Sequence, residues 1–73
     1  MIKYRATIRH HEIRGARFVN CSGVDLQFAK KLAELEFSNC RRDAEIVILG
    51  YREKGAPEIY ASKLVGGTHW TDH

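Results

Sequence analysis

The chain has 73 residues, 44% of them hydrophobic, with 12 Lys and Arg against 9 Asp and Glu and a net charge of +3. That is one domain, burying only about 60% of the surface its unfolded form exposes, which leaves little room for a deep, water-excluding active site. No apolar run approaches the roughly 18 residues of a membrane span, and Met1 to Arg5 lacks the apolar core of a signal peptide. The expectation is a cytoplasmic protein that binds, with no membrane association, no catalysis and no cofactor.

Residues 2–9, IKYRATIR, alternate without a slip: Ile2, Tyr4, Ala6 and Ile8 against Lys3, Arg5, Thr7 and Arg9. This period of two marks a half-buried strand. His10 to Gly15 suits a hairpin connection, and Ala16 to Cys21 reads as a short second strand.

Ser22 to Asp25 looks like a helix start, with Ser22 and Asp25 forming a capping box. Val24, Phe28, Leu32 and Leu35 then share one face, opposite Gln27, Lys30, Lys31 and Glu34. Leu26, Ala33 and Phe37 make a second apolar strip, available to a wrapping sheet or to a partner. Ser38 and Asn39 supply the stop. Cys21 and Cys40 flank this helix. Eighteen intervening helical residues span about 27 Å, and a disulfide needs Cα atoms within about 7 Å, so no intrachain bridge is expected.

Ala44 to Arg52 is β-branched and apolar on both faces, as a central strand requires. Glu53 to Pro57 is a turn, and Ile59 to Val65 a further strand. Gly66 and Gly67 are placed to supply the positive φ angles of a two-residue hairpin turn, with Thr68 to Asp72 returning as the last strand. The order β-β-α-β-β-β specifies an α+β fold: a five-stranded, mostly antiparallel sheet packed on one helix. A single helix covers only one face of such a sheet.

The basic residues are unevenly placed. Residues 1–17 hold Lys3, Arg5, Arg9, Arg14 and Arg17 against Glu12, a net of +4, while the remaining 56 residues carry −1. Alternate residues of a strand share a face, so Lys3, Arg5 and Arg9 project together, away from the core. Such a surface suits DNA or RNA phosphates or an acidic protein patch; its plain alternative is a solvated face whose cations blunt edge pairing. Lys30, Lys31 and Lys63 are secondary candidates. Tyr51, Tyr60 and Trp70 lie on the last three strands. They either share the open face as stacking platforms or complete the core. His69, Asp72 and His73 are close in sequence, but no zinc-module spacing is present and no metal is expected.

Two stretches resemble a known family. VDLQFAKKLA (24–33) and GGTHWTD (66–72) resemble the helix and final hairpin of small phage-encoded anti-CRISPR proteins, among them a type I-F inhibitor with a five-stranded antiparallel sheet and one helix. The resemblance implies an inhibitor acting in the cytoplasm of an infected bacterial cell. It would bind protein subunits of a type I RNA-guided surveillance complex and block target DNA. The net positive charge disfavours simple DNA mimicry, because the guide channel is itself positive. A nucleic-acid-binding module, or a small transcriptional regulator of a mobile element, is the other reading, and a partner on the second helix strip a third. Either a monomer or a homodimer is compatible with so small a domain.

Overall fold

A computed structural model of the protein describes residues 2–9 and 18–73. The elements are β1 (Lys3–Arg9), β2 (Phe18–Cys21), α1 (Leu26–Glu36), β3 (Glu45–Tyr51), β4 (Glu58–Leu64) and β5 (Thr71–Asp72). They form an antiparallel sheet in the order β2-β1-β3-β4-β5, with α1 across one face. The α+β architecture expected from the sequence is the one observed. Among the described residues, no helix is long and apolar enough to cross a membrane. The connection between β1 and β2, with the expected hairpin loop and residues Arg14 and Arg17, lies outside the described residues.

β1 follows its alternation. Ala6 and Ile8 are buried toward α1, and their cross-strand partners Ile48 and Ile46 face the same way. β3 is central and buried on both sides: Ile46, Val47 and Ile48 are all at most 1% exposed. The core gathers Ala6, Ile8, Cys21, Ile46 and Ile48 from the sheet and Ala29, Ala33 and Phe37 from the helix segment. Alanines at the contact let the helix approach the sheet closely, and the bulk is supplied by Phe37 and the isoleucines.

The helix therefore turns a different side inward than its large apolar residues indicate. Its buried residues are Ala29, Lys30 and Ala33, with Phe37 buried at the C-cap and Leu26 packed against the core. Of the apolar face expected from spacing, Val24 and Leu32 pack against the core, but Phe28 and Leu35 are 51% and 75% exposed. The strip of Leu26, Ala33 and Phe37 is thus core, and is not a surface for a partner. The N-cap is Asp25, whose Oδ1 accepts from the Phe28 N–H at 2.8 Å. Ser22 does not cap; its hydroxyl donates to Asn20 Oδ1 at 2.7 Å. The helix starts three residues later than the expected capping box, and Val24 precedes it.

Two further features decide the sheet's geometry. The β3–β4 register slips between Ile48 and Leu49, whose partners are Ala61 and Ile59, so Tyr60 is an extra residue on β4. The bulge turns Tyr60 to the helix side, over Gly50 and edge-on to Tyr4, with ring centroids 5.6 Å apart. Gly66 and Gly67 do not form the expected turn. Positive φ among the described residues occurs at Gly23 and Gly55, and residues 65–70 make a longer connection to β5. Gly66 is needed for close approach: its N–H donates to the Arg42 carbonyl at 2.9 Å, and a Cβ there would lie 2.8 Å from Arg42 Cβ.

Candidate functional site

The sheet face turned away from α1 is built from the residues alternate to the core set. β1 contributes Lys3, Arg5, Thr7 and Arg9, and the register carries the same face onto Phe18 and Asn20 of β2 and Val47, Leu49 and Tyr51 of β3. Among the described elements, none packs across it, but Val47 at its centre is buried, so its exposed positions are Lys3 and Arg9 of β1, Phe18 and Asn20 of β2, and the margin on β4. Lys3 and Arg9 are exposed, and Arg5 is half-buried.

Arg5 is held in a particular way. Phe18 pairs with Thr7 and Tyr51 pairs with Lys3, so both rings are diagonal neighbours of Arg5, one on each side. The guanidinium carbon lies 4.7 Å from the Phe18 ring centroid and 5.1 Å from that of Tyr51. Both distances are within the range of cation–π attraction. The contacts fix a flexible side chain in the plane of the face, and its N–H donors remain without a carboxylate neighbour among the ion pairs of the described residues. Phe18 is 56% exposed, and Ile59 and Leu64 of β4 are also exposed. Their registers with Leu49 and Glu45 place them on the same face.

Lys30 and Lys63 sit on the other side of the sheet, where they serve the fold. Lys30 is buried, with Nζ 2.8 Å from Asp72 Oδ1. Lys63 Nζ is 3.2 Å from Glu34 Oε1, which also accepts from Trp70 Nε1 at 2.7 Å. Both ammonium groups are 5.9 Å from the Trp70 ring centroid. The hydrogen bond from Trp70, aided by Lys63, holds the Glu34 carboxyl below its ordinary range. This cluster ties the two-residue β5 and the connection before it to the helix. Lys31 is exposed on the outer helix surface. The structure thus groups Lys3, Arg5 and Arg9, and leaves Lys30, Lys31 and Lys63 elsewhere.

Of the three aromatics considered for the open face, Tyr51 is there, Tyr60 is on the helix side, and Trp70 packs against the core. Phe18 is the ring that sequence reasoning missed. Its place beside Arg5 depends on the β1–β2 register, which the polar connection does not disclose. Among the described residues, no group of three His, Cys, Asp or Glu is arranged to hold a metal ion. Cys21 and Cys40 are not joined by a disulfide, and burial pushes the Cys21 thiol above its ordinary pKa, which weakens it as a nucleophile. His73 Nε2 and Ser62 Oγ are 2.8 Å apart in an exposed hydrogen bond.

No family model matches the chain, and no curated protein or solved structure is significantly similar to it.

Proposed function

We propose that this protein is a non-catalytic binding protein that engages an anionic partner through the open face of its sheet. The observation that carries the reading is the row of Lys3, Arg5 and Arg9 on the face that α1 leaves uncovered, with Arg5 fixed between Phe18 and Tyr51. A cation held by aromatic rings loses less side-chain freedom on binding than a solvated one, so the face is organised in advance. Exposed cations arrayed on one strand also raise the encounter rate with a negative partner.

The test compares salt elution from a heparin column. Lys3→Gln/Arg9→Gln should elute at lower salt than Lys31→Gln/Lys54→Gln, which removes equal charge from other surfaces. Equal elution of the two folded variants refutes the reading.

The exposed Ile59 and Leu64 favour a second form of it, in which the acidic partner is a protein. The inhibitor of a type I RNA-guided surveillance complex that the helix and final-segment resemblance implies belongs here. Adding the protein to such a complex should then lower its binding of target DNA, and Ile59→Ser and Leu64→Ser should relieve the inhibition.

A further inference from the structure

We infer that the ligand of the open face is a single-stranded nucleic acid running along β1; this deepens the proposed function and rests on it. The first ground is spacing. Residues two apart on a strand are about 7 Å apart, so Lys3, Arg5, Thr7 and Arg9 form a row of four polar side chains at that interval. A nucleic-acid strand drawn out of its helix spaces successive phosphates at roughly 6–7 Å, about twice the rise along a duplex strand. The row therefore meets four consecutive phosphates: three by a cation, and one by the Thr7 hydroxyl, a group that commonly contacts phosphate oxygens.

The second ground is the rings. Phe18 flanks the row on β2 and Tyr51 flanks it on β3, so aromatic surface borders the line of cations on both sides. Base–ring stacking contributes affinity without a sequence requirement, and unpaired bases alone present their faces to such a platform. A duplex, with its bases enclosed, gains only the phosphate contacts. A chain of acidic residues gains the charge but presents no aromatic face to the rings.

The test is fluorescence anisotropy of the whole chain with labelled eight-residue DNA and RNA single strands, the matching duplexes, and polyglutamate. The single strands should bind at least tenfold more tightly than duplex or polyglutamate. With three phosphates neutralised, log K should fall with log salt at a slope of about −2. Phe18→Leu and Tyr51→Leu keep apolar bulk but remove the ring. Each should weaken single-strand binding about fivefold or more, and weaken polyglutamate and heparin binding by clearly less, because those ligands lose only the ordering of Arg5. Circular dichroism confirms the fold of each variant, and Phe18→Tyr and Tyr51→Phe should restore affinity. If duplex or polyglutamate binds as tightly as single strand, or the ring variants bind single strand like the parent, this inference fails while the anionic-face reading stands. Failure to bind any polyanion at low salt overturns both.

Discussion

Replacing Gly50 by Ala tests the account of the bulge in β4. Gly50 lies in the interior of β3 with no positive φ, so its backbone accepts alanine. In an ordinary strand interior, alanine in place of glycine stabilises by roughly 0.5–1 kcal/mol, because glycine has more freedom to lose on folding. Here an added Cβ would overlap Cε2 of Tyr60, lie 2.5 Å from its Cδ2, and lie 3.0 Å from Ile2 Cγ2. Carbon atoms in favourable contact sit about 3.5–4.0 Å apart, so the ring must move by about 1 Å. That ring is held edge-on to Tyr4, and its hydroxyl accepts from Arg52 Nη2 at 3.3 Å. Overpacking of this kind costs about 1–3 kcal/mol, which outweighs the backbone gain. Gly50→Ala should therefore destabilise the domain by about 1–2 kcal/mol, read by urea denaturation with circular dichroism and Trp70 fluorescence. In a Tyr60→Ala background the clash is gone, and the same substitution should be neutral or stabilising. The double-mutant cycle isolates the steric coupling between the two positions. Equal effects in both backgrounds, or stabilisation of the parent protein, would refute the packing argument.

Two further predictions concern the helix. Asp25→Ala should cost about 1 kcal/mol of stability through loss of the N-cap, whereas Ser22→Ala should be close to neutral; a larger cost at Ser22 would restore the earlier helix start. Glu34→Gln should remove a pH dependence. The carboxyl of Glu34 is held below its ordinary range in the folded protein, so its ionised form stabilises the fold fully above the unfolded pKa of about 4.3. That stabilisation is lost as pH falls through the lowered folded value. The melting-temperature advantage of the parent over Glu34→Gln should therefore be constant near neutral pH and shrink on acidification; an advantage unchanged to the acid end of the titration would count against the Trp70–Glu34–Lys63 cluster.

The sequence by itself determined the fold class, the two sides of β1 and the central place of β3. Strict alternation in residues 2–9 committed Ala6 and Ile8 to the core and Lys3, Arg5 and Arg9 to the opposite face, because a strand has only two sides. Continuous β-branched residues at 46–48 required burial on both faces, and β3 is central. A single helix implied one uncovered face. These features follow from local periodicity, which the residues carry without reference to distant neighbours.

The tertiary structure alone decided which helix side is buried, where the aromatics lie, and what the lysines do. Spacing put Val24, Phe28, Leu32 and Leu35 on one apolar face; Val24 and Leu32 do pack against the core, but contact with the sheet centres on Ala29 and Ala33, where small side chains permit close packing and Phe37 supplies the bulk, and Phe28 and Leu35 are left exposed. Lys30 reads as a surface residue by type, yet Asp72, 42 positions later, makes its burial tolerable by supplying the opposite charge. One unpaired residue in β4 sends Tyr60 to the helix side while Tyr51 remains beside Arg5. Each of these outcomes depends on register or on a partner distant in sequence, and no local pattern encodes either.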